Sequence, residues 1–137
     1  SSAASDVYKR QYKYRSMAVV AWNKTNPNTA PSMVGPWIAL PQGIAFFPNS
    51  LSSLPPAENV SFRVLTQNKS ATFPAVIFQR DGGLAEDASK VPTNGIAFFE
   101  GTVNGSNPNK TSQNTKFETV EILRYSGRVQ ATLAPEP

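Results

Sequence analysis

Carboxylates are the main candidates for chemistry in this chain of 137 residues, because it contains neither Cys nor His. Histidine is the commonest general base and metal ligand, and thiolate chemistry requires cysteine. The one acidic cluster comprises Asp81, Glu86 and Asp87, on and after the turn-forming glycines of "DGG". It lacks the alternating Asp or Asn ligands and the closing Glu of a calcium-binding EF-hand loop. We therefore interpret this cluster as a solvated turn.

A second pair of carboxylates, Glu118 and Glu121, invites comparison with the paired carboxylates of glycoside hydrolases. The two residues are three positions apart in a predicted strand, so their side chains should project from opposite faces of a sheet. No phosphate-binding pattern such as G-x-G-x-x-G surrounds the glycines of the chain. We therefore predict no catalytic residue, no metal ligand and no cofactor site, and we do not expect an enzyme.

The formal net charge of +4 is small and spread along the sequence. Such a charge does not by itself indicate an anionic partner. The opening segment "SSAASDVYKRQ" matches, codon for codon, the in-frame translation of a sequencing-library adapter. We therefore expect residues 1–11 to be a sequencing artefact. Residues 12–137 should form a single β-rich domain, truncated at its N-terminus.

Basic and aromatic side chains are the remaining candidates for binding. The segment "RQYKYR" mixes the two types as single-strand nucleic-acid platforms do, but beyond residue 11 only Lys13 and Arg15 are basic there. We therefore predict no nucleic-acid partner. Sugar stacking would use two tryptophans with help from tyrosine, at Trp22, Trp37, Tyr14 and Tyr125. A tryptophan at the boundary between a core and a loop is the commoner arrangement.

The apolar pattern predicts strands separated by turns, with helix as a minority element. Because strands alternate with turns and not with helices, a parallel α/β fold is disfavoured. We predict an α+β fold that is mainly β and built of antiparallel sheets. The predicted strands are 12–22, 59–67, 94–105, 117–125 and 128–133. Two short extended pieces within 37–48 are expected to be broken by a turn at Pro41-Gln42-Gly43, and a short buried strand within 73–83 runs into the "DGG" turn.

Two local patterns refine this prediction. Residues 49–56 fit a single helical turn with Leu51 and Leu54 pointing inward, ended by the prolines. In the strand over 59–67, every second residue is apolar, which predicts one buried face containing Val60, Phe62 and Val64.

The last two strands should form an antiparallel hairpin. Ser126 and Gly127 separate them, and glycine allows the positive φ that a two-residue turn requires. Val120, Ile122 and Val129 should then pack inward. This hairpin is predicted to be scaffold and not a binding site.

Three segments, in their order and spacing, resemble the globular heads of bacterial pseudopilins. A "W-x-x-L-P-x-G-I/V-x-F" pattern is matched by Trp37, Leu40, Pro41, Gly43, Ile44 and Phe46. An apolar strand ending in "R/P-D-G" is matched by Val76, Phe78, Arg80, Asp81 and Gly82. A closing "I-x-R/P-x-T/S-G-R-V/I" is matched by Ile122, Arg124, Ser126, Gly127, Arg128 and Val129. The chain is similar to GspH/FimT-type minor pseudopilins, and most of all to the Verru_Chthon cassette protein D group of prepilin-type proteins.

The resemblance implies a structural subunit of a type II secretion or type IV pilus-like assembly, whose partners are other pilin or pseudopilin subunits. Such subunits begin with a basic leader and a long apolar helix, which would be encoded upstream of residue 12. That helix would be the only membrane contact, anchoring the protein in the bacterial inner membrane with a periplasmic or extracellular head. Function would lie in surfaces, with the polar loops 23–36 and 104–116 as candidates.

Two other classes remain open. A secreted β-sandwich module that binds carbohydrate or another ligand would be favoured if Trp22 and Trp37 were exposed in one groove. A virion protein or other structural β-protein would also fit the composition.

Overall fold

The computed structural model describes residues 13–22, 26, 28–84, 91–92 and 94–137. Within these residues the protein is mainly β with antiparallel sheets, as predicted, and its one helical element is a short 3-10 helix, η1 (Pro48–Leu51). The strands in chain order are β1 (Ser16–Met17), β2 (Val20–Ala21), β3 (Ser32–Met33), β4 (Ile38–Ala39), β5 (Ile44–Phe46), β6 (Pro56–Val64), β7 (Gln67–Pro74), β8 (Ile96–Asn104), β9 (Asn107–Lys110), β10 (Phe117–Ile122) and β11 (Val129–Ala134).

The structure forms two compact units, and the chain enters each of them twice. Unit 1 contains the described residues of Ser1–Leu40 and Pro56–Phe73, and unit 2 contains those of Pro41–Pro55 and Pro74–Pro137. That residues 12–137 form one domain stays a prediction.

Unit 1 contains a sheet in the order β2-β3-β6-β7 and a separate pair, β1-β4. The predicted continuous strand 12–22 is wrong, because this segment changes partners. Ser16–Met17 pairs with β4, whereas Val20–Ala21 pairs with β3. The predicted loop 23–36 is also wrong in part, because it contains β3, which joins β6 in parallel.

The alternation predicted within 59–67 is confirmed in β6, but the strand ends at Val64 and the predicted end at residue 67 is wrong, because a second strand, β7, begins at Gln67. Val60, Phe62 and Val64 are buried and the residues between them are exposed. Nearer the start of the strand, Glu58 and Asn59 are both exposed, so one extra residue interrupts the alternation. Asn59 has φ +53°, which is the left-handed conformation found at one class of β-bulge. Asparagine tolerates this conformation better than most residues do.

Two residues, Leu65 and Thr66, connect β6 to β7. A connection this short is compatible only with antiparallel strands. Leu65 has φ +56° and is 80% exposed. Hairpin turns of two residues need positive φ at the first central position, which glycine and asparagine supply at the lowest cost. Leucine therefore occupies a strained position without compensating burial.

Unit 2 contains a sheet in the order β11-β10-β8-β5, with β9 also paired to β8. All of these pairs are antiparallel. The predicted loop 104–116 is therefore wrong over Asn107–Lys110. Gly105, with φ +67°, closes a two-residue turn after Asn104, and the polar residues beyond it pair through their backbone. A strand at an exposed edge does not require apolar side chains, so the apolar pattern of the sequence does not indicate β9.

The turn before β5 was predicted correctly. The N–H of Ile44 donates to the carbonyl of Pro41 over 3.1 Å, and Gly43 has φ +85°. Positive φ at the third position of a hydrogen-bonded turn is the type II geometry that requires glycine. After this turn, β5 pairs with β8, and Ala45 lies opposite Phe99.

The core of unit 2 is an aromatic cluster on one face of this sheet, formed by Ala45, Phe47, Ala97, Phe99 and Phe117. Phe99 and Phe117 stack with centroids 5.3 Å apart, and Phe47 meets Phe117 edge-on at 5.0 Å. Such pairs contribute beyond their buried area. Strand β11, at the other edge of the sheet, is not covered by such a cluster, because five of its six residues are exposed.

The helical turn predicted within 49–56 is confirmed as η1, but its buried residue is polar. Ser50 is 6% exposed, whereas Leu51 and Leu54 are half-buried. The Ser50 hydroxyl donates to the carbonyl of Phe47 over 2.7 Å and accepts from the N–H of Ala97 over 2.9 Å. The hydroxyl thus joins η1 to β8.

Candidate functional site

The first turn singled out by the sequence is the hairpin around Asp81. The N–H of Gln79 donates to the Gly83 carbonyl over 2.8 Å, and the N–H of Gly82 donates to the Gln79 carbonyl over 3.0 Å. Gly82 has φ +91°, the left-handed conformation that closes a three-residue hairpin loop. The Asp81 carboxylate accepts the N–H of Gly83 over 2.9 Å. This carboxylate therefore stabilises its own turn, as such side chains commonly do.

The "DGG" turn is thus confirmed, but the buried strand predicted before it is wrong. Pro74 ends β7, and proline has no N–H with which to continue a ladder. Residues 75–77 are half-buried and belong to no strand. Phe78 makes a single bridge to Leu84, and its side chain is 53% exposed.

The second turn joins β10 to β11. The N–H of Leu123 donates to the Arg128 carbonyl, and the N–H of Gly127 donates to the Leu123 carbonyl, both over 2.8 Å. These bonds enclose a four-residue loop, so the predicted two-residue turn is wrong. A two-residue turn needs positive φ at its first central position, and among the described residues Gly127 has it (φ +69°) whereas Ser126 does not. The predicted positive φ of Gly127 is confirmed.

Side-chain burial in this hairpin also differs from the prediction. Val120 and Ile122 are half-buried, but Val129 is 60% exposed. The prediction for Val129 failed because β11 is an edge strand, and the core cluster lies at the other end of the sheet.

The two turns are in direct contact. The N–H of Leu84 donates to the carbonyl of Arg124 over 2.6 Å. A Cβ atom on Gly83 would lie 2.8 Å from the carbonyl oxygen of Tyr125, which is closer than real Cβ atoms approach. We call the surface formed by residues 78–84 and 123–128 the paired-turn surface.

Glycine is also required on the other side of this contact. A Cβ atom on Gly127 would overlap the carbonyl oxygen of Gly82. The backbones of the two turns therefore touch, with no side chain between them. This backbone contact fixes the position of the turn around Gly82 relative to the turn that ends at Arg128.

The paired-turn surface presents aromatic and basic side chains to solvent. Tyr125 is 86% exposed, and the guanidinium carbon of Arg124 lies 5.3 Å from the centre of its ring. Arg80, Arg128 and Phe78 are exposed beside them. Tyrosine and arginine contribute strongly to protein interfaces, and a guanidinium over an aromatic ring is an attractive contact. This arrangement suits binding.

The carboxylates considered above do not converge in the described part of the chain. Glu118 and Glu121 are exposed and three residues apart on β10, where side chains alternate between the two faces. Glu86 and Asp87 lie outside the described residues. Among those that are described, no group of three His, Cys, Asp or Glu side chains could hold a metal ion.

The tryptophans considered for sugar stacking have different surroundings. The ring of Trp37 meets Phe73 at 5.4 Å and Phe62 at 6.1 Å, both edge-to-face, in the apolar part of unit 1. Trp37 is thus part of an aromatic cluster. Trp22 is 46% exposed. Of the residues considered for nucleic acid, Lys13 places its amine 5.1 Å from the ring centre of Tyr14.

A shallow cavity of about 200 Å³ lies beside β8 and β10. Ligand sites usually have volumes of roughly 300–1,000 Å³. Among the described residues that line the cavity, Glu121 is the one with a charged side chain. The lining residues are Pro92, Asn94, Gly95, Ile96, Val120, Glu121, Ile122 and Leu123.

The contact between the two turns was missed by sequence reasoning. The signal present in the sequence was the pair of glycine motifs, each of which was interpreted alone as a local turn. Contact between segments so far apart leaves no trace in the periodicity of one sequence.

Comparison of the chain with protein-family models gave no match, and no similar protein was found among curated proteins or solved structures. Within the described ranges, no helix has the length and apolar character needed to span a membrane.

Proposed function

We propose that this protein is a pseudopilin-like structural subunit of a type II secretion or type IV pilus-like assembly. The observation that carries this proposal is the backbone contact between the Gly82 hairpin and the loop ending at Arg128. Both turns belong to segments by which the sequence resembles pseudopilin heads. Their contact supports treating the separate motifs as one structural feature.

The contact also gives a physical reason for the glycines in these motifs. Gly82 needs positive φ, and Gly127 needs both positive φ and space. These are requirements of backbone packing and not of reactive groups. Motifs of this kind suit a subunit whose role is to hold a surface in place.

In this proposal the partners are other pilin or pseudopilin subunits, and the paired-turn surface is available for contact with them. A long apolar helix encoded upstream of residue 12 would anchor the protein in the bacterial inner membrane, with the head in the periplasm or outside the cell. Nucleic acid is not a partner in this scheme.

The decisive experiment recovers the natural reading frame upstream of residue 12. We expect a short basic leader followed by about 20 apolar residues, the length that spans a bilayer. The natural gene product should then be expressed in bacteria with and without a prepilin peptidase. Leader removal should occur only with the peptidase, and the processed protein should stay in the membrane fraction.

Other outcomes would contradict the proposal. An upstream frame without the apolar stretch would remove the anchor on which it depends. Processing that needs no prepilin peptidase and releases the whole protein from the membrane would favour a secreted module.

A further inference from the structure

Strand β11 forms one edge of the sheet in unit 2, and its outer side is exposed. It pairs with β10, and no other described strand lies on its other side. Val129 is 60% exposed and Leu133 is 68% exposed. An open edge presents a row of backbone donors and acceptors that can pair with another strand.

The ladder between β10 and β11 identifies the backbone groups that face outward. Leu123 and Arg128 form a hydrogen-bonded pair just before β11 begins. In an antiparallel ladder, hydrogen-bonded and non-hydrogen-bonded pairs alternate. The continuous register therefore places Val129, Ala131 and Leu133 in non-hydrogen-bonded pairs. Their N–H and carbonyl groups point away from β10.

The other described edges carry features that discourage pairing, and β11 does not. Strand β7 contains Lys69 and ends at Pro74, and β9 contains Pro108 and Lys110. Strands β2 and β5 have only two and three residues. Charged residues, proline and short length are the usual protections of a sheet edge. Strand β11, "VQATLA", has six residues with no charge and no proline.

We propose that β11 pairs with the β11 strand of a second copy of this chain, in an antiparallel arrangement with Thr132 opposite Thr132. Charge complementarity selects this register. Arg128 precedes the strand and Glu136 follows it, so each arginine lies opposite the glutamate of the other copy. Within its own chain the Glu136 carboxylate accepts from the Lys110 amine through Oε2 over 3.0 Å, so the arginine would join this ion pair through the second carboxylate oxygen. Opposite charges in directly opposed positions stabilise a strand pair.

The alternative register, centred on Ala131, has no such advantage. It would place Arg128 opposite Ala134 and Glu136 opposite Ser126, so neither charge would meet its opposite. Both registers pair the outward-facing groups of Ala131 and Leu133. In the register centred on Thr132, however, Pro135 lies opposite Val129 and has no N–H for the Val129 carbonyl, which is left to water. The proposed register therefore rests on the charged ends.

The exposed apolar side chains are also covered in the proposed register. Leu133 lies opposite Ala131, and Val129 lies opposite Pro135, on the face away from the charged ends. The resulting contact is two-fold symmetric and closes after two copies. The pairing does not depend on the proposed assembly role.

Cysteine cross-linking tests both the pairing and its register, because the chain has no cysteine of its own. Thr132→Cys would bring two thiols together in a non-hydrogen-bonded pair, where Cα atoms are about 4.5 Å apart. This separation permits a disulfide. We expect a covalent dimer under mild oxidation, at concentrations where the matched variant Ser106→Cys, in the exposed turn before β9, stays monomeric.

Two results of this experiment would overturn the proposal. Cross-linking of Thr132→Cys no faster than that of Ser106→Cys would exclude edge pairing. Cross-linking of Ala131→Cys faster than that of Thr132→Cys would exclude this register.

A second experiment uses sedimentation velocity of the full 137-residue chain up to about 1 mM, a range that detects weak association. We expect concentration-dependent dimers that are lost in Ala131→Pro. This proline removes an outward-facing N–H and leaves the ladder to β10 intact. Arg128→Glu should weaken dimerisation, and the charge-swapped variant Arg128→Glu/Glu136→Lys/Lys110→Glu should restore it, because the third change keeps a counter-charge beside residue 136. A chain that stays monomeric throughout, or a charge-swapped variant that is not restored, contradicts the proposal.

Discussion

The carbonyl oxygen of Gly82 occupies the position that a Cβ atom of residue 127 would need, so Gly127 is required on two separate grounds. Its φ of +69° is unfavourable for other residues, and a side chain there would strike the neighbouring turn. Gly82 also has positive φ, but nothing lies within 4 Å of its own Cβ position. The contact therefore restricts the residue type at position 127 more than it does at position 82.

Replacement of Gly127 by alanine should destabilise the protein more than replacement of a glycine that is only conformationally strained. The left-handed conformation costs a residue with a Cβ about 1–2 kcal/mol, and the steric overlap with Gly82 adds to this. We expect Gly127→Ala to lower the free energy of unfolding by more than about 2 kcal/mol, measured by urea denaturation. The β-branched variant Gly127→Val should be worse still.

Gly105→Ala is the matched control for this experiment. Gly105 has a similar φ of +67°, but nothing lies within 4 Å of its Cβ position. Gly105→Ala should therefore lower the free energy of unfolding by the conformational cost alone, about 1 kcal/mol. Equal losses at the two positions would argue against the backbone contact between the turns.

Ser50→Ala should be strongly destabilising for so small a change. The substitution leaves the N–H of Ala97 without its acceptor in a buried position, whereas the carbonyl of Phe47 still accepts the N–H of residue 50 over 3.0 Å. An unsatisfied buried polar group costs about 1–3 kcal/mol. We expect a loss of this size in the free energy of unfolding and a lower melting temperature.

A nearby serine provides the comparison. The hydroxyl oxygen of Ser53 is buried and has no hydrogen-bond partner. Ser53→Ala removes that unsatisfied group, so the variant should be as stable as the parent or slightly more stable. If both serine variants lost the same stability, the link between η1 and β8 would not be the cause.

Leu65→Gly should stabilise the β6–β7 hairpin. Leucine adopts φ +56° there while remaining 80% exposed, so the substitution removes strain and loses little packing. The gain is reduced by the greater freedom of glycine in the unfolded chain, which leaves a net increase of about 0.5–1 kcal/mol. Thermal unfolding followed by circular dichroism would measure it.

Thr66→Gly tests whether the gain is specific to positive φ. Thr66 is not among the described residues with positive φ, so glycine there adds only unfolded-state freedom and should destabilise. Stabilisation by both variants would point to the turn sequence in general and not to the conformation of Leu65.

The parts of the fold that were predicted correctly are those whose information is local. The buried face of β6 follows from alternation, and the turn at Gly43 follows from the need of type II geometry for glycine. Likewise, the positive φ of Gly127 follows from the residue type. Each of these features is decided by a few neighbouring residues.

The features that were missed depend on which strand lies beside which. Strand β9 is polar and exposed, so only its pairing with β8 makes it a strand. Val129 looks like a core residue until β11 is found at the edge of the sheet. The paired-turn surface, the candidate site, likewise depends on a contact between distant segments that the apolar pattern does not record.

The division of unit 2 between two stretches of chain has a consequence for how the protein acquires its structure. Strand β5 and Phe47 come before the inserted Pro56–Phe73, whereas Phe99 and Phe117 come after it. The aromatic cluster is therefore completed only when a long loop closes, a slow step in proteins dominated by distant contacts. An isolated peptide spanning 74–137 would lack Ala45 and Phe47 of this cluster and would leave Phe99 and Phe117 open to intermolecular aggregation.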